Sequence, residues 1–255
     1  MNNITIVKIG GKIINDIELL NAFLSNFSKI GGLKILVHGG GRSVNQMLLA
    51  LGMEPTMLNG RRVTDAATLE ICVGQYAGNI NKQIVALLQA KEIDALGLTG
   101  ADGGIIKAQK RPTTPTDYGF AGDIVGVESD KLVSLLHLGF VPVFCAITAD
   151  QNGQLLNTNA DTIASTLAVS LSEVMDVDLR FCFEYSGILE DLESNIVIQE
   201  IKSEEYQSLV DQEVLQGGVI PKVYNAVQAR NNGVKKVSIC GSTNLVDGVN
   251  STKIV

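Results

Sequence analysis

The sequence is poor in the ligands that soft metal centres need. It has two histidines, His38 and His137, far apart along the chain, so a histidine-rich metal site is not expected. Its four cysteines, Cys72, Cys145, Cys182 and Cys240, form no C-x-x-C pair and read as buried thiols of a reducing compartment, not as a disulfide framework. No apolar stretch approaches the roughly 20 residues that a membrane-spanning helix requires. Residues 1–7 lack the basic-then-apolar pattern of a secretory signal. A cytoplasmic protein with no membrane partner is the expectation. Positive charge is also short: 20 lysines and arginines against 27 acidic residues leave a net charge of -7, which disfavours nucleic acid as a partner.

Two nucleotide signatures are missing as well. No segment supplies the G-x-x-x-x-G-K-[ST] of a P-loop. G-x-G-x-x-G also fails after both early strands, because Gly39 and Gly41 are followed by Val44 where the third glycine would stand. A P-loop ATPase and an ordinary dinucleotide-dependent dehydrogenase are thereby demoted.

What the chain does have is 255 residues, 45% of them hydrophobic, with 26 glycines, enough for one large α/β domain or two lobes. Short apolar runs alternate with helical spacing. The pattern predicts strands over 4–9, 34–37, 95–98, 141–146, 177–183 and 235–239, and helices over 17–30, 43–51, 66–90, 131–138, 160–171, 203–211 and 221–231. Residues 105–126, rich in Thr, Pro and Gly, read as hairpins, and residues 150–154, with Asn152-Gly153, as a hairpin turn. Asn159 or Asp161 can cap the helix that starts at Ala160. The alternation predicts an α/β fold with an open, mostly parallel sheet covered on both faces.

Four short segments carry the chemistry: Lys8-Ile9-Gly10-Gly11, His38-Gly39-Gly40-Gly41, Asn59-Gly60-Arg61-Arg62-Val63-Thr64 and Asn157-Thr158-Asn159-Ala160-Asp161. A glycine turn after a strand lets backbone N–H groups close on an anion, and a following helix start adds its positive dipole end. Lys8 stands at the C-terminal end of a predicted strand, where open α/β sheets place ligands. Beside Gly10-Gly11 it suits a phosphate. Arg62 offers a bidentate grip on a carboxylate. Capping alone accounts for Asn159 and Asp161 equally well, and Lys222, just after Pro221, reads alone as a surface charge. The set together describes a site for several negative charges, hence phosphoryl transfer onto, or binding of, an anionic small molecule.

In order along the chain, these segments and Gly218-Val219-Ile220-Pro221-Lys222 resemble the motif series of the amino-acid kinase family over nearly the whole sequence. The Asn-Gly-x-Arg-Val-Thr and Asn-x-Asn-Ala-Asp segments are similar to those of its acylglutamate-phosphorylating members. The resemblance implies a three-layer αβα sandwich, with residues 1–176 as an acylglutamate-binding lobe and 177–255 as a nucleotide-binding lobe. It implies ATP-dependent phosphorylation of the γ-carboxylate of N-acetyl-L-glutamate, a step of arginine biosynthesis. In that reading Lys8 and Lys222 stabilise the moving phosphoryl group, and Asp161 resembles the carboxylate that holds those lysines in place. Gly39, Gly40, Arg62 and Asn157 resemble the acylglutamate contacts, while Gly11, Glu184 and Lys222 fall on the nucleotide side. ATP would enter as its Mg²⁺ complex, with no tightly bound cofactor and no metal site of the protein's own. An N-succinyl substrate, another activity of the family, or a catalytically weak ligand sensor are the alternatives.

Two segments depart from the family pattern. Phe183-Glu184-Tyr185-Ser186-Gly187 stands where most members have Thr/Ser-Asp-Val-x-Gly, and Ser251-Thr252 replaces a usual Gly-Thr. Glu184 keeps the carboxylate one methylene longer, so ATP binding is expected to survive with altered base or ribose contacts. Arginine-inhibited members are typically hexamers with a helix ahead of the first strand. Here the first strand begins by Ile4, and Gly74, Ala77 and Gly78 give the 66–90 helix a closely packing face. The expectation is a homodimer insensitive to arginine.

Overall fold

The structure, a computed structural model, describes residues 3–58, 60–190 and 196–255. Asn59 of the Asn-Gly-x-Arg-Val-Thr segment lies outside the described residues. In chain order the strands are β1 (Asn3–Ile9), β2 (Leu33–His38), β3 (Met57–Leu58), β4 (Arg61–Arg62), β5 (Ala95–Leu98), β6 (Ile106–Lys110), β7 (Gly122–Val127), β8 (Val141–Cys145), β9 (Ile147–Ala149), β10 (Leu155–Asn157), β11 (Asp176–Phe183), β12 (Glu200–Ile201), β13 (Lys236–Gly241) and β14 (Thr252–Ile254). The α-helices are α1 (Gly11–Ile14), α2 (Ile17–Ser28), α3 (Gly41–Ala50), α4 (Ala66–Val73), α5 (Asn81–Gln89), α6 (Ser129–His137), α7 (Ala160–Ser172), α8 (Tyr206–Asp211) and α9 (Ile220–Asn231). The mostly parallel sheet flanked by helices that the alternation predicts is present.

The chain forms two compact units, one of residues 1–35 with 164–255, the other of residues 36–163. The lobe boundary expected near Asp176 falls at the start of β11, inside the first unit. There the strand order is β12-β14-β13-β11-β1. β1 runs parallel to β11 from Asn3↔Asp176 to Ile9↔Cys182, and β11 runs parallel to β13. This pairing ties the first 35 residues to the C-terminal part of the chain. The strands are near-continuous apolar runs because helices cover both faces of a parallel sheet. On α2, Leu20, Phe23, Leu24 and Phe27 are buried, and the Asp16 carboxylate accepts from the N–H groups of Glu18 and Leu19 to start the helix. Lys34 is buried, and its amine donates to the carbonyls of Phe27, Ser28 and Ile30, closing the C-terminal end of that helix. β14 runs antiparallel to β13 and parallel to β12, the outermost strand. Neither β12 nor β14 was expected, because two or three residues carry no readable period.

In the second unit β2, β8 and β5 are parallel neighbours. A separate four-stranded sheet has the order β10-β9-β6-β7 and contains the predicted hairpins: β6 with β7 from the 105–126 segment, and β9 with β10 across residues 150–154. The predicted helix over 66–90 is continuous, but Gly74–Ile80 between α4 and α5 is π-helical. The four cysteines are free and buried. Burial pushes the Cys72 thiol up to about 11 and the Cys145 thiol up to about 12, so both stay protonated at neutral pH.

Candidate active site

In the second unit the glycine turn, Arg62 and Asn157 are joined by one chain of contacts. β2 ends at His38 and α3 starts at Gly41, so Gly39 and Gly40 make the whole turn. Gly40 has φ of 151°, and a Cβ there would lie 2.3 Å from Ile80 Cδ1, so only glycine fits. A Cβ on Gly39 would stand 3.6 Å from the Cβ of Ala160, which places the turn against the first residue of α7. Asn159 caps that helix: its Oδ1 accepts from the N–H groups of Asp161 and Thr162. Asp161 is therefore not the cap. It sits in the first helical turn, buried, beside the positive end of the helix dipole.

Arg62 is brought to the turn by the hairpin of β3 and β4, in which Met57 opposes Arg62 and Leu58 opposes Arg61. Its Nη2 donates to the Gly41 carbonyl at 3.0 Å and to Asn45 Oδ1 at 2.5 Å. The side chain is only 7% exposed, and Nη1 is buried with no hydrogen-bond partner among the described residues. Among the described residues no carboxylate pairs with it; its neighbours are the thiol of Cys72 and the phenol of Tyr76, both kept neutral by burial. A buried, half-satisfied guanidinium is costly unless something anionic completes it. Thr64 carries the chain onward. Its hydroxyl donates to the Arg62 carbonyl at 3.1 Å and accepts from Asn157 Nδ2 at 3.0 Å.

In the first unit Lys8 is buried near the end of β1. The following Gly10 donates its N–H to the Cys182 carbonyl at 2.8 Å, pinning the turn to β11. A Cβ on Gly11 would meet nothing within 4 Å, so packing does not require glycine there and the backbone is open to approach. The Lys12 ammonium lies 3.1 Å from Glu184 and 5.7 Å from the centre of the Tyr185 ring. Tyr185 meets Phe183 edge-on at 5.7 Å. Both aromatics line a cavity of about 480 Å³, together with Gly187, Ile188, Leu189 and Glu190. Lys222 lies in the first turn of α9, after Pro221, and its amine donates to the Gly218 carbonyl at 3.0 Å. Ser251 and Thr252, read from sequence as a nucleotide-side departure, are buried: Thr252 Oγ1 accepts from the N–H of Ile188 at 2.8 Å and Ser251 Oγ donates to the Gly248 carbonyl at 2.7 Å. Thr252 thereby holds the backbone of Ile188, which lines the cavity. A Cβ on Gly187 would strike Thr252 Oγ1 at 2.8 Å.

The sequence profile of the amino acid kinase family matches residues 3–241. The chain belongs to the amino acid kinase family. It is 46% identical over 249 residues to the acetylglutamate kinase of Parabacteroides distasonis, covering 97% of this chain and 98% of that one. It is 48% identical over 237 residues to the acetylglutamate kinase of Bacteroides fragilis, covering 92% and 91%. Among solved structures, that of smu.665 from Streptococcus mutans superposes with a TM-score of 0.82 at 23% identity, covering 99% and 98% of the two chains, which shows a shared fold. Several residues of this candidate site carry no signal of their own in the sequence. Lys12 follows the Gly10-Gly11 turn with no signal of its own. Asn45 and Tyr76 look like ordinary helix residues. Thr64 ends the Asn-Gly-x-Arg-Val-Thr motif, and its link between Arg62 and Asn157 is visible only in the fold.

Proposed function

We propose that this chain is an acetylglutamate kinase, transferring the terminal phosphoryl group of ATP to the γ-carboxylate of N-acetyl-L-glutamate to give the acyl phosphate. The observation in the site that carries the reading is Arg62: a buried guanidinium with one unused nitrogen, beside a glycine turn and an asparagine, suits a small dicarboxylate. Arg62, Asn157, Gly39 and Gly40 take the acylglutamate. Gly11, Glu184 and Lys222 face ATP, which enters as its magnesium complex, and the aromatic cavity beside Tyr185 takes the base. Lys8, Lys222 and Asp161 form the catalytic set.

The chemistry needs no general base. A γ-carboxylate with a pKa near about 4.3 is already ionised at neutral pH. The barrier is the approach of one anion to another and the charge on the equatorial oxygens of the moving group, so fixed cations and positioning do the work. A coupled assay of ADP release decides the reading, with N-acetylglutamate, N-succinylglutamate, aspartate and UMP offered in turn. Turnover with N-acetylglutamate above the others is expected; turnover confined to aspartate or UMP, or to none, overturns it.

The same reading includes a cytoplasmic homodimer. Gly74 and Gly78 in the π-helical stretch have open space where a Cβ would be, so this face admits the close approach of a second copy. Light scattering at micromolar concentration is expected to give twice the chain mass; a monomer at the concentration of the assay would remove the dimer from the proposal.

A further inference from the structure

His38 and Asn81 are both buried, His38 fully, and neither has a part in the reaction described above. His38 is the residue before the Gly39-Gly40-Gly41 turn. Its Nδ1 lies 2.8 Å from the Gly39 carbonyl, and its Nε2 lies 3.0 Å from Asn81 Nδ2. A carbonyl oxygen only accepts, so Nδ1 carries the proton there. The amide orientation is fixed by its other partner: the same Nδ2 reaches the Val143 carbonyl at 2.9 Å, so it must be the nitrogen and must donate. Nε2 is then the acceptor. Asn81 Oδ1 is held in turn by the Lys82 ammonium at 3.2 Å. The carboxamide has no slack, and Gly97 makes room for it, since a Cβ there would sit 2.0 Å from Oδ1.

The backbone explains how Asn81 arrives. It is the first residue after the π-helical Gly74–Ile80, whose extra residue per turn shifts the facing of everything that follows. Within that stretch Ile80 and Tyr76 pack on Gly40, so the helix presses the turn while Asn81 grips the ring beside it. We propose that Asn81 is a positioning residue that fixes His38 as the neutral, Nδ1-protonated tautomer, so that His38 holds the Gly39 carbonyl and aims the glycine turn at the acyl substrate. The proposal rests on the acetylglutamate reading of that turn.

With only two histidines in the chain, ¹⁵N-histidine NMR reads the ring directly, without substrate. The wild-type spectrum at neutral pH is expected to show His38 with a protonated Nδ1 and a bare Nε2, and Asn81→Ala to convert it to a mixture of tautomers. In kinetics, Asn81→Ala is expected to raise KM for N-acetylglutamate about tenfold, the size of one hydrogen bond, with KM for ATP unchanged. His38→Asn places an amide N–H near the position of Nδ1 and is expected to stay within about threefold of wild type. His38→Gln keeps only the Nε2 side and is expected to behave like Asn81→Ala. An Nε2-protonated ring in the wild type overturns the proposal. So does an Asn81→Ala protein with altered tautomers and an unchanged KM, or an equal rise in both KM values. Absence of ADP release from the wild type would remove the enzymatic reading instead, and the wild-type spectrum would still decide the tautomer.

Discussion

Replacing Lys8 or Lys222 with alanine is expected to lower kcat by on the order of 10²-fold or more, equivalent to about 2.7 kcal/mol of transition-state stabilisation. The acceptor arrives as an anion and the donor as a polyanion, so the cost of the reaction is electrostatic and its remedy is cationic. Lys8 is almost wholly buried at the end of β1, and a charge already held out of water does not have to be reorganised during the transfer. Lys222 is tethered through the Gly218 carbonyl at the start of α9. Arginine is expected to rescue neither position, because a planar fork replaces a compact ammonium. Lys8→Met keeps the apolar stem against the core and isolates the lost charge from lost packing. The measurement is kcat at saturating substrates, with circular dichroism to establish that each variant is folded. A folded Lys222→Ala protein with near-normal kcat would take that residue out of the catalytic set.

Much of this arrangement is legible from the sequence because parallel strands are long apolar runs and the helices between them keep a clear period. β1, β2, β5, β8, β11 and β13 all fall on predicted strands, and the hairpins follow from the Thr, Pro and Gly of residues 105–126 and from the Asn152-Gly153 turn of residues 150–154. The elements that escaped are those whose cause is tertiary. β12 and β14 are two and three residues long and exist because a sheet edge accepts them. The β3–β4 hairpin does have a local signal, the Asn59-Gly60 pair, with Gly60 at φ of 74°. The π-helical turn has no residue signature, and without it Asn81 reads as one more polar residue on a helix.

The site shows the same division. Glycines and cations after strand ends stand out because few other roles explain them. The groups that orient them do not: Thr64 beneath Arg62 and Asn157, Asn45 beside Arg62, and Thr252 under the Ile188 backbone are each a common residue whose meaning is one hydrogen bond. The grouping of residues 1–35 with 164–255 is likewise invisible in chain order, since it follows from β1 choosing β11 as a neighbour from the far part of the sequence.

Arg62→Ala is expected to raise KM for N-acetylglutamate by on the order of 10²-fold while leaving KM for ATP within about threefold, since truncating one partner of a buried, hydrogen-bonded charge pair costs about 2–5 kcal/mol. Nη2 is spent on the Gly41 carbonyl and Asn45 Oδ1, which leaves Nη1 as the buried donor for the substrate. The substitution also strips Gly41 and Asn45 of their donor, so the melting temperature is expected to fall. A loss of stability alone, in a protein that remains folded at the assay temperature, would not single out one substrate, and the selectivity of the KM change is therefore the decisive reading. Arg62→Lys keeps the charge but cannot serve the Gly41 carbonyl, Asn45 and a carboxylate at once, and is expected to fall between wild type and alanine. Steady-state kinetics with each substrate varied in turn separates the possibilities. Equal increases in both KM values would make Arg62 a structural brace for the glycine turn and leave the acylglutamate carboxylate without its assigned partner.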